Sequence, residues 1–230
     1  MKTRNMFIAV FLSAAVILSG CSGMKSSTKG GLIGGASGAA VGAGIGALAG
    51  GGKGAAIGAA IGTAVGGTAG VVIGKKMDQQ KAELEKIEGA KVETVTDANN
   101  LKAIKVTFES GILFSTGKSE LNAQSKNALT KFAESLKNTP ETDITIIGHT
   151  DNTGTREFNE KLSVDRANSV VNFLSQNGVK KDRTTIKGLA WDEPVGDNST
   201  AEGRAQNRRV EVFITANETM IKQAEDGTLK

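Results

Sequence analysis

Glycine recurs at every fourth position from Gly30 to Gly74, and this period constrains the fold more than any other feature of the chain. The residues between these glycines are mostly Ala, Ile, Val and Leu, and Lys53 is the only charged residue among them. On a helix, a four-residue period places the glycines in one slowly drifting stripe, where a second backbone can approach closely. The 30 glycines and 2 prolines of this 230-residue chain therefore reflect one segment of unusual composition.

This segment, residues 30–74, resembles a glycine zipper. The letters GGGK at 50–53 predict a turn between two helices, 32–49 and 55–73, each near the length of about 20 residues that crosses a bilayer core. Each glycine costs a helix in water about 1 kcal/mol relative to alanine, so lipid or a partner helix must supply the order. Two arrangements stay open: a helical hairpin inserted in a membrane, or a zipper that forms a homo-oligomer beside it. A flexible Gly/Ala linker does not account for the strict period.

The first residues are typical of an export signal. Lys2 and Arg4 precede an apolar run over 6–18, which has the length of a signal-peptide core and is short for a membrane span. Residues 1–20 are therefore predicted to be a signal peptide. Cys21 is the only cysteine of the chain, so no intrachain disulfide can form.

The letters LSGC at 18–21 resemble the lipobox of bacterial lipoproteins. The resemblance implies that Cys21 is lipidated, with palmitate among its acyl chains, and that it anchors the chain in a lipid bilayer. Ser22 follows, where Asp would imply retention in the inner membrane, so the implied location is the cell outer membrane, with the remainder facing the periplasm. A cysteine that merely ends an ordinary signal peptide is the alternative.

Composition changes again after the zipper. Residues 21–29 are predicted to be the lipidated N-terminus and a linker, and 75–90 are strongly charged, with only a weak apolar stripe. We expect a short solvated helix there, acting as a spacer. A globular domain is predicted over 91–216, and 217–230 should be a frayed tail.

Within 91–216, strand and helix patterns alternate, which predicts a compact α/β sandwich. Asn122 or Ser125 should open one helix, which Pro140 ends, and another should run from near Thr155 to Asn177. The predicted strands are 92–95, 103–108, 144–147, 184–188 and 210–214, with a short extended segment at 112–114 and a last helix at 201–207.

The letters GHTDNTG at 148–154 place Asp151 between a strand and a helix. On that helix, Asn159 and Arg166 are seven positions apart, about two turns, and share one face. Asp151 could then receive an ammonium while Arg166 holds a carboxylate of the same ligand. Spacing alone favours a simpler interpretation, in which Asp151 caps the helix and Arg166 makes a surface ion pair.

These residues, together with LS at 162–163 and the block GRAQNRRVEV at 203–212, resemble the signature of the OmpA-like peptidoglycan-binding domain. The resemblance covers roughly 106–215. It implies an α+β sandwich with a mixed sheet and helices packed on it. The helical hairpin inferred from the glycine period is predicted to precede this domain. The resemblance also implies that diaminopimelate of the peptidoglycan stem peptide is held by Asp151 and Arg166, with support from Asn159, Thr150 and Arg209. Ser115 follows Phe114 where the family often has Asp, which puts one peripheral contact in doubt.

The resulting prediction is a non-catalytic lipoprotein that tethers the outer membrane to the cell wall. The alternative is a membrane oligomer of the zipper, channel-like or stator-like, that wall binding only positions. A wall hydrolase is a third, weaker hypothesis. His149 and Asp151 lie along one extended stretch with no nucleophile elbow nearby, so a structural histidine is favoured over a catalytic triad.

Other chemistries have little support in the sequence. One histidine and one lipidated cysteine do not make a zinc site, and no cofactor is implied. TGKS at 116–119 matches only half of a phosphate-binding loop. The net charge of +4 is spread along the chain, and few aromatic residues are present, which argues against nucleic acid as a partner.

Overall fold

The structure is a computed structural model that describes residues 67–230. The predicted signal peptide, Cys21 and the zipper up to residue 66 lie outside the described residues. Within 67–230, no helix has both the length and the apolar character needed to cross a bilayer.

A five-stranded mixed sheet forms the centre of the described region. Its spatial order is β1-β2-β5-β3-β4, and only the β3–β4 pair is parallel. The mixed sheet predicted from the family resemblance is thus confirmed. The strands are β1 (Ala90–Thr96), β2 (Lys102–Glu109), β3 (Thr142–Gly148), β4 (Thr184–Gly188) and β5 (Arg209–Ala216).

Within residues 67–230, six α-helices accompany the sheet, and two of them begin at the predicted caps. The Asn122 side chain accepts a hydrogen bond from the Ser125 N–H, and Thr155 accepts one from the Phe158 N–H. The helices are α1 (Thr68–Leu84), α2 (Ser110–Leu113), α3 (Ala123–Asn138), α4 (Arg156–Gln176), α5 (Ala201–Asn207) and α6 (Glu218–Glu225), with a 3₁₀ turn at Lys181–Arg183.

Strand register places one apolar row across the whole sheet. Because side chains alternate between the two faces of a strand, this row lies on the face that packs against the helices. Phe132 of α3 meets Phe108 of β2 edge to face in the same core, with ring centroids 5.6 Å apart. The row consists of Val92, Val106, Val212, Ile146 and Ile186.

We expected the charged segment after the zipper to be a solvated spacer, and this prediction was wrong. α1 runs without a break from Thr68 to Leu84 and buries Ile73, Met77 and Leu84 completely. These side chains recur at helical spacing and face β2, α3 and α6, while the charged residues occupy the other side of the helix. A narrow apolar stripe is therefore sufficient to pack α1 on the domain, because the domain provides a matching apolar surface.

The end of the chain also differs from the prediction of a frayed tail. Asn217 caps α6 by accepting a hydrogen bond from the Met220 N–H, and Met220, Ile221 and Ala224 are buried. The short extended segment predicted at 112–114 is mostly helix α2 instead. Only Phe114 is extended there, where it forms a single antiparallel bridge with Leu121.

Candidate functional site

The GHTDNTG loop leaves the carboxyl end of β3, where two glycines let α4 approach the sheet. A Cβ atom on Gly148 would lie 2.0 Å from the Ser163 carbonyl oxygen, and one on Gly188 would lie 2.4 Å from the Ser163 Oγ. Gly148 and Gly188 are register partners on β3 and β4. The backbone of α4 therefore rests on the end of the sheet, and Arg166, three residues beyond Ser163, comes near the loop that carries Asp151.

Asp151 is buried, and both of its carboxylate oxygens accept hydrogen bonds. Oδ1 accepts from the Thr153 N–H at 2.9 Å, and Oδ2 accepts from the Arg208 guanidinium at 2.6 Å. Burial raises the pKa of Asp151, but hydrogen bonds from Arg208 and Thr153 outweigh it and hold that pKa below its usual 3.8. Asp151 is therefore ionised at neutral pH, and Thr155 rather than Asp151 caps α4.

Arg166 is 2% exposed and is surrounded by neutral groups. Its Nε donates to the Lys118 carbonyl at 3.1 Å, and its guanidinium carbon lies 5.3 Å from the centroid of the Phe114 ring. One terminal nitrogen lies 3.5 Å from the Ser110 hydroxyl. Among residues 67–230, no carboxylate oxygen lies within 4.0 Å of this guanidinium, which rules out the surface ion pair of the simpler interpretation.

A series of contacts links the Asp151 carboxylate to the Arg166 guanidinium. Arg208 donates to Asp151, its carbonyl accepts from the Ser110 N–H at 2.8 Å, and the Ser110 hydroxyl faces Arg166. Burial lowers the pKa of Arg166 to about 10; repulsion from Arg208 adds to this, and attraction to Asp151 opposes it. One carboxylate and two guanidinium groups thus meet at one end of the domain, and Arg166 keeps its charge at neutral pH.

Asn159 and Thr150 shape the loop around Asp151. The Asn159 side-chain amide donates to the carbonyls of Thr153 and Thr155, at 2.8 and 3.1 Å, and so closes the loop onto α4. The Thr150 N–H donates to the Ala190 carbonyl at 2.7 Å, while its buried hydroxyl has no hydrogen-bond partner among the described residues. The contacts of both residues hold the backbone on either side of the carboxylate.

Arg209 lies on the opposite side of β5 from this cluster. Its Nε donates to the Glu211 Oε1 at 2.7 Å, and a terminal nitrogen donates to the Glu193 carbonyl at 3.1 Å. Arg208, one residue earlier, is the arginine that contacts Asp151, and sequence reasoning missed it. Period-two alternation was the available signal, because Arg209 and Glu211 share one face of a strand and Arg208 does not.

His149 belongs to the same buried group as Arg209. Its Nε2 lies 3.8 Å from the Glu211 Oε2, and neither ring nitrogen has a hydrogen-bond partner among residues 67–230. Lys105 reaches the other oxygen of Glu211 at 2.8 Å. Burial lowers the pKa of His149 to about 3, helped by Arg209 and Lys105 and opposed by Glu211. The imidazole is therefore neutral at physiological pH.

Comparison with known families divides the chain in two. The OmpA family model matches residues 113–208, which include the whole acid–base cluster. A YMGG-like Gly-zipper model matches residues 1–78, which include the glycine period.

Relatives and solved structures agree with this division. Outer membrane protein Omp38 of Acinetobacter baumannii is 44% identical over 119 residues, 51% of this chain and 33% of that protein. Peptidoglycan-binding protein ArfA of Mycobacterium tuberculosis is 38% identical over 49% of this chain, and the match covers only 34% of ArfA. Residues of this chain therefore span about a third of those two relatives. The cell wall anchor of the T6SS from Pseudomonas aeruginosa superposes with a TM-score of 0.52 at 29% identity, covering 61% of this chain and 97% of that one.

One relative matches almost end to end. The probable lipoprotein YiaD of Escherichia coli is 40% identical over 221 residues, which cover 94% of this chain and 99% of YiaD. The alignment therefore spans both the zipper and the domain of this chain. The chain described here belongs to the OmpA family, with its OmpA-like domain joined to a YMGG-like glycine zipper.

Proposed function

We propose that this chain binds the stem peptide of peptidoglycan at Asp151 and Arg166, without catalysis. The observation that carries the proposal is the buried Arg166 guanidinium, which has no carboxylate oxygen of residues 67–230 within 4.0 Å. Burying a charge without a counter-ion costs several kcal/mol, and an anionic ligand would offset that cost. Two of the relatives and structures similar to this chain carry peptidoglycan binding or cell-wall anchoring in their names.

Diaminopimelate is the ligand group that fits this charge pattern. Its carboxylate would meet Arg166 through bidentate hydrogen bonds, and the ammonium on the same carbon would meet Asp151. A carboxylate offers about four acceptor positions, and the contacts with Thr153 and Arg208 occupy only two in Asp151. Arg208, with 39% of its side chain exposed, stands at the rim and would attract the anionic peptide.

The same proposal gives the molecule its role as a tether. Lipid on Cys21 would hold the outer membrane, and the OmpA-like domain in the periplasm would hold the wall. Omp38 is named as an outer membrane protein and YiaD as a probable lipoprotein, which supports this location. Two attachments on one chain would link the two layers without any chemical step.

Binding to purified sacculi tests the proposal. We expect the full-length chain in detergent to sediment with sacculi, and Asp151→Ala or Arg166→Ala each to lower the affinity about tenfold or more, since each removes a charged hydrogen bond of about 1.5 to 3 kcal/mol. Arg156→Ala is the matched control, because Arg156 lies on the same helix but pairs with Asp192 and Glu160. A folded double variant of Asp151 and Arg166 that still sediments would refute the assignment.

A second function, oligomerisation in the membrane, is favoured by the match of residues 1–78 to the zipper model. Single cysteines introduced within 55–66 would form disulfide-linked dimers in membranes if zippers of neighbouring chains pack together. If none of these single-cysteine variants forms a disulfide-linked dimer, wall binding remains as the only proposed function.

A further inference from the structure

The segment from Ser110 to Lys118 forms a third wall of the candidate site. The sequence prediction built the site from the GHTDNTG loop, α4 and Arg209. In the structure, this segment instead supplies three contacts to the Arg166 guanidinium: the Phe114 ring, the Lys118 carbonyl and the Ser110 hydroxyl. None of these groups carries a negative charge.

The Phe114 ring is held firmly. The backbone N–H of Phe114 donates to the Ser110 carbonyl at 2.7 Å, and the backbone of Phe114 forms a strand-like bridge with Leu121. Asn122 then fastens the segment twice: its N–H donates to the Leu113 carbonyl at 3.0 Å, and its side chain donates to the Ile112 carbonyl at 2.8 Å. The residue that caps α3 therefore also fixes the ring beneath Arg166.

A tight turn aims the Lys118 carbonyl. The Lys118 N–H donates to the Ser115 carbonyl at 3.0 Å, and Gly117 within the turn has a φ of +68°, a conformation that L side chains rarely adopt. The half phosphate loop noticed in the sequence, TGKS, is thus a turn that presents a backbone oxygen to a cation.

Neutral partners hold a cation without cancelling its charge. The face of an aromatic ring attracts a guanidinium through its quadrupole, and a carbonyl accepts one of the guanidinium hydrogen bonds. A carboxylate in either place would hold the guanidinium as well, but it would compete with an anionic ligand. The arrangement leaves the full charge of Arg166 for a group that arrives from outside.

We propose that Phe114 is a positioning residue for Arg166, whose guanidinium its ring holds in place for a ligand carboxylate. This inference rests on the proposed function, in which Arg166 takes that carboxylate. The competing explanation is that Phe114, which is buried in the main core, only fills space. A test must therefore change the electronic character of the ring while keeping its shape.

Pentafluorophenylalanine makes that change, because fluorination removes the negative face of the ring with little change in shape. We expect the substitution at position 114 of the full-length chain in detergent to weaken diaminopimelate binding about fivefold to thirtyfold, the range of a desolvated cation–π contact. Phe132 is the matched control, since it is equally buried and packs on Phe108 rather than on a cation. Fluorination there should change the affinity less than twofold. Fluorinated Phe114 that binds within twofold of the unmodified chain would overturn the inference.

A second readout does not depend on binding. In arginine-selective ¹⁵N NMR spectra, protons of the Arg166 guanidinium should show an upfield ring-current shift, which Phe114→Leu removes and which Lys118→Ala, keeping its carbonyl, preserves. If the unmodified chain fails to bind diaminopimelate, the proposed function falls, and this shift still shows whether the Phe114 ring lies against the Arg166 guanidinium. An Arg166 signal unchanged in a folded Phe114→Leu variant would contradict it.

Discussion

At the residue scale, Arg166 and Arg183 show two ways of burying a guanidinium. Arg183 donates to the carbonyls of Leu136, Thr139 and Thr142 and to the Thr142 hydroxyl, at 2.7 to 3.0 Å. Arg166 makes one good hydrogen bond, to Lys118, and one at the 3.5 Å limit. The first arginine ties elements together, whereas the second retains hydrogen-bonding capacity that the described residues do not use.

This difference predicts opposite effects on stability. Arg166→Met should be neutral or should raise the free energy of unfolding by up to about 1 kcal/mol, because an apolar side chain of similar volume replaces a buried charge that contacts no carboxylate. Arg183→Met should lower it by about 3 kcal/mol, since several buried carbonyls lose their donor. Urea unfolding of both variants measures this, and a loss at Arg166 as large as at Arg183 would mean that Arg166 is structural.

His149 predicts how stability depends on pH. Its pKa is about 3 in the folded domain and about 6.5 in an unfolded chain, so the unfolded chain binds the proton first as the pH falls. The free energy of unfolding should therefore drop by about 2 kcal/mol between pH 7 and pH 5. Glu211, whose pKa is held below 4.5 by Arg209 and Lys105 despite its burial, adds to the loss at lower pH.

The matched variant is His149→Gln, which cannot take up this proton. Its urea midpoint should change little between pH 7 and pH 5. An equal slope in both proteins would show that His149 is not the responsible group.

The site was predictable from the sequence only in part at this scale. The positions of Asp151, Asn159 and Arg166 on one loop and one helix follow from a local pattern. Arg208 rather than Arg209 contacts Asp151, and this depends on which face of β5 meets the helices. The role of Phe114 depends on its contact with Arg166, 52 positions away in the sequence. Neither appears in the local periodicity of the chain.

At the element scale, the contact between α4 and the sheet sets the geometry of the site. Gly148→Ala should lower the free energy of unfolding by about 3 kcal/mol or more, because the added methyl group overlaps the Ser163 backbone and α4 must shift. Gly111→Ala is the control, since a Cβ there meets nothing within 4 Å. Chemical unfolding measures both, and a Gly148→Ala domain as stable as the control would contradict the close packing.

Most strands and the two capped helices were visible as apolar periodicity and cap residues. The predictions of a solvated spacer at α1 and a frayed tail at α6 were wrong for one reason. Each helix has only a narrow apolar stripe, which by itself is typical of an exposed segment, and each is stabilised by packing on the other and on the sheet. Such mutual burial depends on segments that lie about 140 residues apart in sequence, such as Met77 and Met220.

At the scale of the whole molecule, the glycine period and the OmpA-like domain share a helix. Gly70 and Gly74, the last two glycines of the period, lie in α1, which continues into the core through Ile73 and Met77. Neither family model matches the residues between 78 and 113, but in the structure these residues include β1 and β2 of the central sheet. The end of the glycine period is thus joined to the domain by a packed helix.

Disrupting this helix should affect the stability of the domain. Met77→Ala in the full-length chain should lower its free energy of unfolding by about 2 to 5 kcal/mol, because the side chain is fully buried. Val71→Ala on the same helix should cost less than about 0.5 kcal/mol, since Val71 is 72% exposed. Equal midpoints for the two variants in urea would mean that α1 does not stabilise the domain.

The central claim, that an unneutralised Arg166 beside Asp151 takes the carboxylate of diaminopimelate, is tested most directly by calorimetric titration of the full-length chain. Stem peptides that carry diaminopimelate or lysine differ by one carboxylate, because the α-amino and α-carboxyl groups of both residues lie in peptide bonds. The chain should therefore bind the diaminopimelate peptide at least about tenfold more tightly, and Arg166→Met should abolish that preference. Equal affinity for the two ligands, or a preference that survives in Arg166→Met, would contradict the account.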